Sequence, residues 1–150
     1  MDYEVLTTLD IDSALKKYPI FKGAFPSNLV PISRAEGARG FIINTAKSDR
    51  PGEHWTAMIV DGEDCHFFDS FGYELLNLDL LKSLKKIGII QYKYSSIQTQ
   101  PFSSGNCGYY CIAFILSHIK GFSYTEFMNI FSYDVIENNK TCYNFIKQYI

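Results

Sequence analysis

The chain has no long apolar run. Its longest, Ile112-Ala113-Phe114-Ile115-Leu116, falls far below the roughly 20 residues that cross a bilayer, so no membrane span is expected. It has no excess of positive charge: 14 Lys and Arg face 16 Asp and Glu, a net charge of −2, so no global field draws it to nucleic acid. Cysteine is sparse, with Cys65, Cys107, Cys111 and Cys142 alone. Four cysteines in a chain of this length do not make a secreted disulfide framework, and free thiols are expected. Neither a Cys-x-x-Cys pair nor a Cys/His knuckle occurs, which argues against a zinc-stabilised interaction module. Cys107 and Cys111 lie one helical turn apart and could share a metal, but Cys111 falls on a helix apolar all round and reads as core. No metal or cofactor is expected. The opening Met1-Asp2-Tyr3-Glu4 lacks the basic-then-apolar order of a secretory signal, so a place inside a cell, or inside a particle assembled there, is expected.

What is present is enough to fold. With 150 residues, 47% of them hydrophobic and 16% aromatic, the chain suits one domain with a substantial core. Gly and Pro between residues 21 and 53 mark an irregular stretch, and the first fifty residues read as loop-rich. A short helix is expected over 9–18 and a strand over 40–45. Trp55 to Val60 and Cys65 to Asp69 flank an Asp61-Gly62 turn, a hairpin signal. Leucines from Leu75 to Leu84, with Lys86 and Gly88 at the end, predict an amphipathic helix over 75–86. Residues 89–94 read as a strand and 95–106 as a polar approach to a buried central helix over 107–120. Ser123 and Glu126 form a capping-box pattern opening another helix, and 138–150 predicts the last. The class is α+β: a central mixed or antiparallel sheet packed on a buried helix, with helices flanking it.

The start of that central helix is where chemistry is expected. Unpaired amides and the macrodipole at a helix N-terminus favour a thiolate, and Cys107 sits at such an end, with Asn106 as a candidate cap and Gly108 leaving room for a substrate backbone. A cysteine so placed is more often packing than catalysis, so a base is needed to decide. Of three histidines, His118 lies eleven residues along the same helix, roughly 16 Å away, and cannot take the proton. His54 and His66 fall on the two arms of the hairpin. A two-residue Asp61-Gly62 turn sets Asp69 opposite His54; a four-residue turn sets it opposite Thr56, with His54 as a diagonal neighbour. In both, the imidazole and carboxylate share a face and His66 lies on the other. Asp69 would then hold the tautomer of His54 and stabilise its imidazolium. An oxyanion donor is also required, and Gln100, seven residues before Cys107, can supply an amide.

The order His54, Asp69, Gln100, Cys107 resembles the adenain family, the maturation proteases of adenoviruses and their relatives, and more distantly the proteases that process SUMO and ubiquitin-like proteins. Phe41-Ile42-Ile43-Asn44-Thr45-Ala46 followed by Gly52-Glu53-His54-Trp55 is similar to the family's Asn-Thr-Ala strand and Gly-x-His-Trp motif. Phe67-Phe68-Asp69-Ser70-Phe71-Gly72 resembles its acid-bearing turn, and Gln100-Pro101 through Asn106-Cys107-Gly108 its Gln-to-Cys-Gly segment. The resemblance covers residues 41 to about 120, and the spacing of seven tilts it towards the viral group. It implies an adenain-like, papain-related fold and a cysteine endopeptidase in which Cys107 is nucleophile, His54 base, Asp69 orienter and Gln100 oxyanion donor. Trp55 is implied to pack at the site.

The same resemblance implies cleavage of capsid or virion precursors after Gly or another small residue, by a protein expected to act as a monomer in the virion and the infected cell. A SUMO- or ubiquitin-directed protease is the alternative, since it too favours a Gly-Gly end. Two departures stand out. Asp69 replaces the Glu usual in adenoviruses, and the chain is much shorter than adenoviral enzymes. No cysteine lies between Asp69 and Cys107, so the disulfide that anchors the adenoviral activating peptide has no counterpart there. Activation by a peptide or by DNA is left open by the resemblance, and the acidic net charge weakens the case for DNA. A compact relative from a virophage or Polinton-like element fits these departures.

Overall fold

The computed structural model describes residues 5–150; Met1 to Glu4, read above for a signal, lie outside the described residues. The elements run α1 (Thr8–Leu15), β1 (Phe21–Pro26), β2 (Ala38–Asn44), β3 (Trp55–Asp61), β4 (Asp64–Phe68), α2 (Leu78–Lys86), α3 (Cys107–Ile119), α4 (Tyr124–Met128), a 3₁₀ turn (Val135–Glu137) and α5 (Asn138–Tyr149). The sheet order is β1-β2-β3-β4. β1 runs parallel to β2, while β2–β3 and β3–β4 are antiparallel. The fold is therefore α+β with a mixed sheet.

Helices on both faces of this sheet explain why β2 and β3 read as nearly unbroken apolar runs: both are buried along almost their whole length. One core joins Ile42, Ala57, Ile59 and Phe68 to α3 and to Cys142, Phe145 and Ile146 of α5. The other joins Phe41, Ile43, Met58, Val60 and Phe67 to Leu75, Leu80 and Leu84. α3 is buried from Cys107 through Ser117, apart from Tyr109. Both the Thr7/Asp10 pair of α1 and the Ser123/Glu126 pair of α4 close reciprocal capping boxes.

Three expectations are corrected, and the structure decides between the two hairpin registers left open. Residues 21–26, expected to be irregular, form edge strand β1, with its Pro at the last position, where a missing N–H is tolerated. Residues 89–94 do not form a strand: Lys93 alone bridges to His66, through Phe67 N–H to Lys93 O at 2.8 Å and Lys93 N–H to Cys65 O at 2.8 Å. α2 starts at Leu78 rather than Leu75, because the Asn77 side chain accepts from Leu80 N–H and caps it there. The hairpin loop is Gly62-Glu63 between paired Asp61 and Asp64. Gly62 has φ +61 at the first central position, where a type II′ turn places glycine. Continued one pair beyond Ala57↔Phe68, this register sets Asp69 opposite Thr56 and diagonal to His54, on the same face.

Candidate active site

α3 presents Cys107 as its first residue, on the end where backbone N–H groups point outward. The thiol is 7% exposed and lines an open cleft of about 410 Å³. Trp55 N–H donates to its Sγ at 3.4 Å, an interaction that strengthens as the sulfur gains charge. Asn106 is not the side-chain cap expected of it: its backbone is near-helical (φ −96°, ψ 14°), and its side chain makes no capping bond. Its amide Nδ2 is instead buried with no partner among the described residues.

His54 immediately precedes β3, and the Asn44-Thr45-Ala46 motif holds it there. Asn44 Oδ1 accepts from Ala46 N–H (2.9 Å) and Glu53 N–H (3.0 Å), clipping the intervening loop across its base. Thr45 N–H donates to His54 O at 2.8 Å. Gly52 is small because a Cβ there would lie 3.0 Å from Asn44 Nδ2. Across the hairpin, His54 Nε2 is 2.8 Å from Asp69 Oδ1, with the two side chains 14% and 6% exposed. That leaves Nδ1 as the ring nitrogen for the thiol. Burial works to lower the pKa of His54, but hydrogen bonds with Asp69 and Cys107 and the charges of both outweigh it and raise it to about 9. Asp69 Oδ1 also accepts Phe71 N–H at 2.8 Å, and the Phe71 ring stacks on the imidazole, 4.4 Å between centroids and 11° between planes. Gly72 lets this turn form, with φ +82 and a position where a Cβ would strike Ser96 O at 2.7 Å.

Gln100 is fully buried and fixed at both ends of its amide. Its Oε1 accepts from Ser70 Oγ at 2.5 Å, and its Nε2 donates to Ser104 O at 2.8 Å and Ser104 Oγ at 2.9 Å. The amide thus faces the loop leading to Cys107, and serving an oxyanion requires exchanging one Ser104 bond, the rotatable hydroxyl being the cheaper to release. Ser70 O takes Thr99 N–H, Gln100 N–H and the Thr99 hydroxyl, while Asn138 Nδ2 holds Thr99 O at 2.8 Å. Acid-bearing turn, glutamine and the start of α5 are one buried polar network. Sequence reasoning passed over Ser70, Phe71 and Asn138 as site supports. Ser70 and Phe71 sat inside a motif already quoted, but Asn138 gives no local signal.

The room expected over Gly108 is filled by the chain itself: a Cβ there would lie 3.1 Å from Leu6 Cβ. Leu6 O also accepts from Trp55 Nε1 at 3.0 Å. Leu6, Trp55, Gly52 and Cys107 wall the cleft together. His66 and His118 share a different depression with Asp61 and Asp64, one that does not reach Cys107. All four cysteines are free and buried. Burial raises the Cys111 thiol well above its usual range, with the charges of Cys107 and Asp69 adding to it. No group of three or more His, Cys, Asp or Glu suited to a metal occurs among the described residues.

No family model matches the chain. The cysteine protease S273R of African swine fever virus is 29% identical over 107 residues, which is 60% of this chain and 37% of that protein. The match therefore spans little more than a third of that relative's length. A crystal structure of the African swine fever virus pS273R protease superposes with TM-score 0.62 at 20% identity, over 97% of this chain and 68% of that one. The SUMO protease Ulp1, with its catalytic cysteine oxidised to a sulfinic acid, superposes with TM-score 0.51 at 16% identity, over 95% and 78%. The chain has the α+β, papain-like fold of these cysteine proteases.

Proposed function

We propose that the chain is a cysteine endopeptidase that matures viral proteins, cutting virion precursor polypeptides after Gly or another small residue. The observation that carries this reading is the His54–Asp69 pair at 2.8 Å meeting a cysteine at a helix N-terminus, with the buried Gln100 amide leading into the same helix. Cys107 gives its proton to His54, and the thiolate adds to the scissile carbonyl. The oxyanion is held by Gln100 Nε2 and the Cys107 N–H. The imidazolium then protonates the leaving amine, the carbon–nitrogen bond breaks, and water activated by His54 hydrolyses the thioester to restore the thiol. Leu6 and Trp55 narrow the approach to Cys107, which favours residues without bulky side chains before the cut.

The spacing of Gln100 and Cys107 supports an adenain-like enzyme; on that reading it works as a monomeric single domain without cofactor in the virion and the infected cell. Likeness to Ulp1 supports the second reading, a protease acting on ubiquitin-like proteins. The two separate when purified protein is offered a precursor peptide containing Gly-Gly and a ubiquitin-like fusion of the same cleavage sequence, with Cys107→Ala as control. The maturation reading expects faster cleavage of the peptide, after the second Gly, with no added peptide or DNA. Faster cleavage of the fusion selects the second reading. Cleavage of neither rejects both.

A further inference from the structure

Three aromatic rings gather beside His54, and none of them lines the cleft at Cys107. Phe71, stacked on the imidazole, packs against Phe102 (5.2 Å between centroids) and Tyr73 (6.3 Å), and Phe102 and Tyr73 lie 6.4 Å apart with planes 17° from parallel. The triangle is closed, yet Phe102 is 60% and Tyr73 57% exposed. Solvating two large rings is unfavourable, and a cluster of this kind commonly marks a contact surface. Phe102 also lies on the segment between Gln100 and Cys107, so the wall is tied to both the base and the nucleophile.

The proposed chemistry says which part of a substrate reaches it. The scissile carbonyl must sit at Cys107 Sγ, and the leaving nitrogen must face His54 to receive its proton. The cleft lined by Leu6, Trp55 and Gly52 touches none of the three rings and takes the acyl half. Chain beyond the leaving nitrogen must run past His54, on whose imidazole Phe71 is stacked. Resting on the protease reading, we propose that Phe71, Tyr73 and Phe102 form the subsite for the side chain immediately after the scissile bond, and that it selects apolar and aromatic residues there.

The test uses peptides with one acyl half ending in Gly-Gly and Phe, Leu, Ala, Asp or Lys after the cut. A diglycine vinyl methyl ester, which engages the acyl side and alkylates Cys107, is the companion probe. The wild-type chain should cleave before Phe or Leu about tenfold faster in kcat/KM than before Ala, the scale of a modest apolar contact. In Phe102→Ala/Tyr73→Ala this ratio should fall to within about twofold while the alkylation rate is unchanged. No preference in the wild type, or a preference intact in the variant, overturns the subsite. So does equal loss on every peptide together with slowed alkylation, which would make the rings mere supports for His54. A dimer that the double variant dissociates, with selectivity unchanged, would assign the rings to a contact between copies and also overturn it. If neither cleavage nor alkylation occurs in the wild type, the protease reading fails and the subsite with it.

Discussion

The two histidines of one hairpin have opposite fates. His54, just before β3, and His66, in the middle of β4, are both partly buried, and burial disfavours the charged form of each. His54 accepts that cost in exchange for a carboxylate at hydrogen-bond distance and the Cys107 thiol, and its pKa rises to about 9. His66 has carboxylates nearby too, but burial and the charge of Lys93 outweigh the pull of Asp64, His118 adds to them, and its pKa falls. Its ring packs near Tyr124, 5.4 Å between centroids, rather than against an acid. A nearby carboxylate is therefore not enough; a directed, desolvated bond to one is what reverses the effect of burial.

If the contrast is functional, variants at the two ends should separate widely. Cys107→Ala should abolish cleavage with the fold intact, and His54→Ala should cost nearly as much, whereas His66→Ala and His118→Ala should stay within about twofold. Peptide turnover by variants checked for folding by circular dichroism measures this, and a dead His66 variant would reverse the assignment. Gln100→Ala should lower kcat by about a hundredfold to a thousandfold with KM nearly unchanged, because that amide matters most in the transition state. Asp69→Asn should keep measurable turnover. It should also move the alkaline limb of kcat/KM, expected near pH 9 where His54 loses its proton, towards lower pH, since the bond and charge that raise His54 are weakened. Cys111→Ala should leave the rate alone and cost roughly 1 kcal/mol of stability by urea denaturation, as one buried sulfur is lost.

The hairpin, the central helix and the shared face of His54 and Asp69 were legible because each follows from local periodicity or from the parity of a strand. The capping box at Ser123 was legible for the same reason. What escaped depends on contacts between distant segments. Parallel pairing of β1 with β2 has no turn to announce it, and Phe21-Lys22-Gly23-Ala24-Phe25-Pro26 is interrupted by Gly and Pro. The apolar look of residues 89–94 overstated a sheet edge at which Lys93 alone bridges. Within the site, the glutamine was singled out by the family resemblance, but its bonds to Ser70 and Ser104 were not foreseen, nor was Leu6 over Gly108, a residue roughly a hundred positions away. Asn106 had the composition of a cap but not the dihedrals.

The pH dependence of stability sharpens the contrast most, because it reads both histidines by one method. His54 has a folded pKa of about 9, above the ordinary 6.5. A cationic group raised on folding contributes stability that is fully present below its unfolded pKa and is lost as pH rises through the folded one. The melting temperature of the wild type relative to His54→Gln should therefore be greatest at pH 6 and shrink by on the order of 5 °C by pH 10. His66 is lowered on folding, so the sign reverses: the folded chain holds fewer protons there, and stability is gained as pH rises towards 6.5. The wild type relative to His66→Gln should gain between pH 5 and pH 7, by less than the His54 difference, since His66 is only half-buried and solvent screens its partners. Differences are taken against matched Gln variants so that the tyrosines and lysines titrating at high pH cancel. Parallel curves for the two variants would mean that the Asp69 bond does not distinguish His54 from His66 in solution.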